Sequence, residues 1–430
     1  MIKKRNIFIV TVICILAVCL GLYIVGAFHH NLSTFEGHKT VICIPVYGQS
    51  LALGEEAIRV TDFDSLRINN DGRIVTECFN YDFGYFDGQE WKQSVKRFVH
   101  YDKKSFELSV YGMAESLVHQ LGRDTIICIF PEGAGMTSII QIKESTEPYI
   151  KFLHEIKKAY QFAVNRGWDF SVPAICWMQG ETDIADYTEC DYKSQLKDFC
   201  TSINQDIREI THQKQNVHMI CYQSNVVTRA ESFNHLNYDC RETRVPNAIV
   251  DLLKNDSLFW ASGPTYPYTF VNEALHIDGI SQKRIGYLHA ISALKIIRGE
   301  EKNYGLIPLS AKSIENDAII HFNVPCAPLS FDTISVNKIT NFGFNVINQN
   351  GKDILSNVSI AGNDIILHCT ESPIRCKVRY AVNGDAMKSG SLRGPRGNLR
   401  DSQGNRYQAR ISDKTHPLHN WCYQFDIEIE

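Results

Sequence analysis

Short apolar runs alternate with amphipathic segments through the first two thirds of the chain. Residues 147–166 and 196–210 place apolar side chains three or four positions apart, and a third such segment runs from 281 to about 298. That spacing is typical of helices with one buried face. The apolar runs are typical of strands buried on both faces, and they cover residues 41–46, 125–130, 174–178, 217–222 and 258–261. Strands that alternate with helices predict an α/β domain with a parallel, doubly wound sheet.

The pattern changes at about residue 304. From there to residue 430, short runs alternate apolar and polar positions between turns rich in Asn, Gly and Asp. This predicts a smaller antiparallel β domain, folded as a sandwich. The runs DIILHC and CKVRYAV could pair as a hairpin. Cys369 and Cys376 would then lie within the roughly 4.4 to 6.8 Å between Cα atoms that a disulfide requires.

The N-terminus combines basic residues with a long apolar run. Lys3, Lys4 and Arg5 precede residues 7–28, an apolar run in which Thr11 is the clearly polar residue. The run is long enough to cross a bilayer, and basic residues before it stay on the cytoplasmic side. We therefore expect a signal anchor that leaves the rest of the chain membrane-anchored or exported, outside the cytoplasm. The small residues at 25–27 leave a cleaved signal peptide as the alternative.

Length, composition and charge limit the classes of function that the chain can have. The 430 residues are 44% hydrophobic and 21% charged, which predicts a globular chain with two domains after a leader. The patterns above place the leader at 1–30, the α/β domain at 38–300 and the β domain at 304–430. The formal net charge is −4 and the chain has no long basic run, so the sequence does not indicate nucleic-acid binding. No CxxC or HExxH spacing occurs among the 14 cysteines and 15 histidines, so neither a metal nor another cofactor is predicted.

Polar motifs follow three of the predicted strands. Ser50 ends GQS after the first strand, Gly135 lies in GAGMTSI after the second, and Gln179, Gly180 and Glu181 lie in WMQGETD after the third. The carboxyl ends of parallel strands meet at one sheet edge, where ligands bind. A fixed glutamine amide and exposed glycine N–H groups are donors that can stabilise an oxyanion.

A histidine near the end of the α/β region completes the candidate chemistry. His276 lies in ALHIDGISQKRIG, and Glu273 precedes it by three positions. Catalysis by a serine needs an imidazole to take its proton and an acid to hold the imidazole. Glu273 is the predicted acid. Asp278 is the competing candidate, although it is placed to cap the following helix.

Together these motifs resemble the SGNH hydrolase superfamily, and within it the carbohydrate acetylesterases of the sialate O-acetylesterase type. The resemblance rests on GQS, GAGMTSI, WMQGETD and ALHIDGISQKRIG and covers about residues 40–300. It implies a three-layer α/β/α domain and a metal-free serine esterase that acts on O-acetyl groups of sugars. Ser50 would be the nucleophile and His276 the general base. The backbone N–H groups of Ser50 and Gly135 and the Gln179 side chain would form the oxyanion hole.

Three positions depart from the family pattern, and two alternative functions stay open. Leu51 and Ala52 stand where the family usually has Asn-Met, Met136 replaces the second glycine of the second motif, and Glu273 replaces an aspartate. One alternative is an O-acetyltransferase that passes the acetyl group from the same serine to a sugar. The other is a glycan-binding surface protein whose esterase site has decayed.

Overall fold

The computed structural model describes residues 37–62, 73–76, 85–86, 91–92, 106–185, 190–225, 243–385 and 387–430. The predicted signal anchor, residues 7–28, and its alternative cleavage site lie outside these ranges. Over the part of the chain that is described, none of the helices has the length and apolar character needed to span a bilayer.

Parallel strands form the centre of the N-terminal region. They make a four-stranded segment in the order β3-β6-β1-β8 and a five-stranded segment in the order β11-β10-β9-β2-β7. The chain passes directly from a strand of the first segment into a strand of the second at three places: from β1 to β2, from β6 to β7 and from β8 to β9. All pairings within both segments are parallel. The strands β4 and β5 form a separate antiparallel pair. The strands of this region are β1 (Thr40–Cys43), β2 (Val46–Gly48), β3 (Ile74–Thr76), β4 (Tyr85–Phe86), β5 (Trp91–Lys92), β6 (Thr125–Ile129), β7 (Pro131–Gly133), β8 (Asp169–Ser171), β9 (Ala174–Met178), β10 (His218–Gln223) and β11 (Phe259–Pro264).

Helices cover both faces of this sheet. Successive residues of β9 show the two faces: the Trp177 ring packs 5.1 Å from that of Phe199, whereas Met178 Sδ accepts a hydrogen bond of 3.3 Å from Ser109 Oγ. Helices α3, α5 and α6 pack together on the first face, and α1 and α7 pack on the second. The helices are α1 (Ser109–Gln120), α2 (Ile139–Ile142), α3 (Glu147–Val164), α4 (Glu181–Ala185), α5 (Tyr192–Thr211), α6 (Arg244–Asn255) and α7 (Gly279–Arg298).

The predicted α/β architecture is confirmed, and each of the predicted strands is present. The run predicted as one strand over 41–46 is divided into β1 and β2 around Pro45, because proline has no N–H to donate to a neighbouring strand. Helix α7 begins where Asp278 accepts a hydrogen bond of 2.8 Å from Ser281 N. It packs closely on α1, since a Cβ on Gly286 would lie 1.9 Å from Ser109 O.

Antiparallel sheets follow α7, as predicted. One has the strand order β12-β13-β17-β16 and another the order β15-β18-β22, with two smaller pairs beside them. Alternate residues of the four-stranded and three-stranded sheets are buried in a shared apolar core. The strands are β12 (Ile307–Ile314), β13 (Asp317–Asn323), β14 (Ser330–Phe331), β15 (Phe344–Ile347), β16 (Leu355–Ala361), β17 (Asp364–Cys369), β18 (Lys377–Tyr380), β19 (Leu399–Arg400), β20 (Gln408–Ile411), β21 (Lys414–Pro417) and β22 (Phe425–Glu428).

The predicted hairpin between residues 364–369 and 377–382 is wrong. Strand β17 pairs with β13 and β16, whereas β18 pairs with β15 and β22 in the other sheet. Both strands bury every second side chain toward the common core, so they face each other instead of pairing edge to edge. Cys369 and Cys376 are buried free thiols.

Buried contacts join the two regions. Ile307 and Tyr423 from the β region pack in the core of the α/β region, and Tyr266 packs in the core of the β region. Gln223 Nε2 donates to Gln424 O at 2.9 Å beyond the carboxyl end of β10. The β region therefore lies against the end of the sheet at which the predicted site forms.

Candidate active site

Ser50 lies just beyond the carboxyl end of β2, which pairs with β7 on one side and β9 on the other. Gln49 N donates to Met178 O at 2.9 Å, which continues the pairing with β9 up to the serine. The chain then turns sharply, with Glu55 N donating to Ser50 O at 3.0 Å. Ser50 is 5% exposed. The strand and the turn thus fix the serine at the predicted sheet edge.

His276 connects Ser50 to an acid that the sequence analysis missed. Its Nε2 lies 2.9 Å from Ser50 Oγ, and its Nδ1 lies 2.8 Å from Glu56 Oε2. With Nδ1 protonated, the ring donates to the Glu56 carboxylate, and Nε2 accepts the hydrogen bond from the serine hydroxyl. Serine, imidazole and carboxylate therefore form one hydrogen-bonded chain.

Glu56 ends the turn that starts at Ser50. Its backbone is left-handed, with φ of 62°, which is uncommon for a residue other than glycine. The chain beyond it is held by the buried Glu107 carboxylate, which accepts from Val60 N at 2.8 Å and from Thr61 N at 2.7 Å. Burial raises the pKa of Glu107. A turn fixed at both ends thus carries the nucleophile and the acid.

Glu273, the predicted acid, does not contact His276. Its carboxylate accepts from Arg393 Nε at 2.9 Å and also from Arg393 Nη2, and this guanidinium lowers the pKa of Glu273. The reason is local backbone geometry: Asn272 and Glu273 have left-handed φ angles of 54° and 56°. Residues three apart face the same side only in a regular helix, and this turn is not one. Asp278, the competing candidate, caps α7 as expected.

Gly135 lies beside the nucleophile. A Cβ on Gly135 would be 3.7 Å from Ser50 Cβ and 3.4 Å from Glu55 Oε2. Met136, which stands in place of the family's second glycine, takes a left-handed φ of 59°, and its side chain is exposed. The Met136 side chain therefore points to solvent and is not buried beside Ser50.

The Gln179 side chain is engaged elsewhere. It is buried, and its amide group donates to Thr137 O at 3.1 Å and to Asp183 Oδ2, while its carbonyl accepts from Tyr192 OH at 2.8 Å. An amide has two protons to donate, and both are used here. The predicted oxyanion role of Gln179 is thus not available in this geometry. Gln179 instead anchors the segment that follows Gly135.

Gly180 and Glu181 form no hydrogen bond with Ser50 in the part of the chain that the structure describes. Gly180 has φ of 135°, a conformation that side chains disfavour, and its N–H faces Gln49 Oε1 at 3.4 Å. This contact links the first and third motifs. Glu181 is buried and accepts a hydrogen bond from Tyr222 OH, and burial raises its pKa.

The geometry matches what a serine hydrolase needs: a hydroxyl in contact with an imidazole that is held by a carboxylate. Over the described ranges, no group of three or more His, Cys, Asp or Glu side chains is placed to hold a metal ion. The sequence signal that could have found Glu56 is its position on the same turn as Ser50. A carboxylate that close to a nucleophile is a natural partner for the base.

A comparison with known proteins bears on the chemistry of the chain. Residues 84–223, which include Gly135 and Gln179, match the family model described as carbohydrate esterase, sialic acid-specific acetylesterase. This match supports an esterase. A search of curated proteins gives no significant match.

Solved structures resemble the esterase in fold. A carbohydrate acetylesterase from Xanthomonas citri, XAC1771, is 15% identical with a TM-score of 0.53, over 90% of this chain and 80% of that one. A protein from Arabidopsis thaliana is 14% identical with a TM-score of 0.41, over 60% of this chain and 99% of that one. NanS is 13% identical with a TM-score of 0.43, over 62% of this chain and 100% of that one.

Proposed function

We propose that the esterase removes acetyl groups from O-acetylated carbohydrates through an acyl-enzyme on Ser50. The observation that carries the proposal is the distance of 2.9 Å between Ser50 Oγ and His276 Nε2. The family match supports an acetylated sugar as the substrate. A decayed site is not favoured, because nucleophile, imidazole and acid are all in contact.

The reaction begins when Ser50 Oγ attacks the ester carbonyl carbon. The hydroxyl proton passes to His276 Nε2, while Glu56 accepts the hydrogen bond from Nδ1 and stabilises the imidazolium. When the tetrahedral intermediate collapses, His276 gives this proton to the departing sugar oxygen and the acetyl group stays on Ser50. Water then attacks the acetyl-serine with His276 as base. Acetate leaves and the hydroxyl of Ser50 is restored.

The negative charge of the tetrahedral intermediate needs donors beside Ser50. The backbone N–H groups of Ser50 and Gly135 are our candidates, since Gly135 lies next to the serine. Donors of this kind are effective because they are already oriented before the charge develops. Gln179 is left out of this set, because its amide protons are bonded to Thr137 and Asp183.

The decisive experiment measures acetate release by the full chain from a panel of O-acetylated sialosides and neutral acetylated oligosaccharides. We expect release from at least one substrate and its loss in Ser50→Ala. Ser194→Ala, at an exposed position of α5, is the matched control. Failure of the wild-type chain on every substrate, or equal turnover by Ser50→Ala, would overturn the proposal. Recovery of acetyl-sugar when a free sugar is added would instead identify a transferase.

We also propose that the esterase acts outside the cytoplasm, held by or released from the predicted anchor over 7–28. The support is the sequence of basic residues at positions 3–5 followed by a run of spanning length. Protease treatment of intact cells or spheroplasts tests this. Degradation of the esterase is expected, and complete protection together with cytosolic fractionation would contradict it.

A further inference from the structure

The loop that carries His276 rests on the β region. We name residues 268–276 the histidine loop and residues 388–393 the clamp segment. Two backbone hydrogen bonds join them: Ser389 N donates to Glu273 O at 2.8 Å, and Ser391 N donates to Tyr268 O at 3.1 Å. The clamp segment therefore binds the histidine loop on the N-terminal side of the imidazole.

An ion pair strengthens this contact. Arg393 donates to the Glu273 carboxylate through both Nε and Nη2, and Lys388 Nζ lies 3.8 Å from Glu273 Oε2. The Glu273 side chain is only 19% exposed. A planar guanidinium that contacts both carboxylate oxygens fixes orientation as well as distance. The residue predicted as the catalytic acid thus serves as the attachment point of the loop.

The two segments approach each other too closely for a side chain between them. Gly390 has φ of 87°, and a Cβ on it would lie 2.8 Å from Tyr268 O and 2.8 Å from Phe270 Cδ2. Only glycine fits such a backbone position without displacing the loop. The clamp segment is therefore shaped to the histidine loop.

The histidine loop also has a conformation that needs external support. Asn272 and Glu273 are consecutive left-handed residues, neither of which is glycine. Within the loop, Val271 N donates to His276 O at 2.7 Å. Backbone conformations of this kind cost free energy and persist where surrounding structure fixes them. Here the clamp segment supplies contacts before the left-handed pair, at Tyr268, and at its second residue, Glu273.

We propose that the clamp segment of the β region holds the histidine loop so that the imidazole stays between Ser50 and Glu56. The inference rests on the proposed esterase function. Arg393 and Glu273 are then positioning residues, because they act through the loop and do not touch the reacting atoms. The β region becomes part of the catalytic apparatus, with a role distinct from any binding of glycan.

The test uses the full chain and p-nitrophenyl acetate, a substrate too small to need a glycan-binding surface. We expect Arg393→Gln and Glu273→Gln each to lower kcat by about 10-fold with KM nearly unchanged, because small displacements of a catalytic group slow turnover strongly. Arg393→Lys should restore part of kcat. The double variant should be no slower than the slower single variant, since both remove one contact. Arg410→Gln, whose side chain is exposed and pairs with Asp413, is the matched control in the same region.

Thermal unfolding is measured on every variant to separate loss of fold from loss of positioning. If Arg393→Gln does not fold, the same kcat and KM comparison on Arg393→Lys and Glu273→Gln decides. Wild-type kcat in folded Arg393→Gln and Glu273→Gln would overturn the inference, as would a change in KM alone. An inactive wild-type chain would overturn both the proposed function and the inference. An active wild-type chain with unaffected variants would overturn the inference alone.

Discussion

Glu56 Oε2 lies 2.8 Å from His276 Nδ1, although 220 positions separate the two residues. The acid therefore comes from the turn of the nucleophile and not from the loop of the histidine. The Glu56 side chain is half exposed, whereas that of His276 is mostly buried. Water thus reaches the carboxylate but is largely kept from the imidazole.

Replacing Glu56 by glutamine should slow turnover with little change in KM. A neutral amide can hold the wrong imidazole tautomer, and in a serine protease the analogous change costs about 10⁴-fold in kcat. We expect a loss of roughly 10² to 10⁴-fold, measured with p-nitrophenyl acetate. Glu273→Gln is the comparison variant, and we expect its kcat to fall less than that of Glu56→Gln. A larger loss in Glu273→Gln than in Glu56→Gln would return the acid's role to Glu273.

Alanine at Gly135 should leave the fold intact and reduce activity. Its Cβ would be in ordinary contact with Ser50 and near the flexible Glu55 side chain, yet it would occupy space beside the reacting hydroxyl. We expect kcat/KM to fall about 10-fold or more, since the ester can no longer take up its position for attack. Gly133→Ala is the contrast, because that Cβ would lie 1.7 Å from Gly48 O and the variant should not fold. Full activity of Gly135→Ala would remove this position from the site.

Alanine at Gln179 should act mainly on stability. It would remove the three hydrogen bonds that the Gln179 side chain makes with Thr137, Asp183 and Tyr192, at a cost of about 2 to 4 kcal/mol in the free energy of unfolding. Urea unfolding measures this, and kcat is determined on the folded fraction. Wild-type stability combined with a loss of roughly 10² to 10³-fold in kcat would support the oxyanion role that the sequence predicted.

Glu132 should make stability depend on pH. Burial raises the pKa of this carboxyl from 4.5 to about 8. The native state then holds a proton that the unfolded chain has lost, so its contribution to stability is present below pH 4.5 and disappears as the pH rises to about 8. Glu132→Gln should therefore exceed wild type in unfolding free energy by roughly 2 to 4 kcal/mol above pH 8 and by little near pH 5. Urea unfolding across this range measures the difference, with exposed Glu209→Gln as control. A difference that does not vary with pH would contradict the assignment.

The residues that the sequence located well are those tied to strand ends. Ser50 and Gly135 follow parallel strands, so their meeting at one edge is a property of the sheet and needs no knowledge of side-chain contacts. His276 follows from its place before a capped helix. The apolar alternation of β17 and β18 identified strands but could not choose their partners, because many pairings satisfy the same alternation.

The acid and the glutamine could not be assigned in this way. Glu56 depends on a left-handed backbone angle at a residue that is not glycine. Glu273 is drawn to Arg393, which comes from a region 120 positions later in the chain. Gln179 is bonded to Asp183 and Tyr192 through side-chain geometry. The position of Glu56 on the turn of Ser50 marks it as a candidate, but the choice of this acid over Glu273 depends on contacts between distant parts of the chain.

The close packing of α7 on α1, marked by Gly286 against Ser109, has a consequence for how the site assembles in time. The nucleophile and the acid share one turn and can approach each other early, at small cost in chain entropy. The imidazole arrives only with α7, from 226 positions beyond the serine. During refolding, recovery of ester hydrolysis should therefore track the docking of this helix and lag behind the formation of the strands.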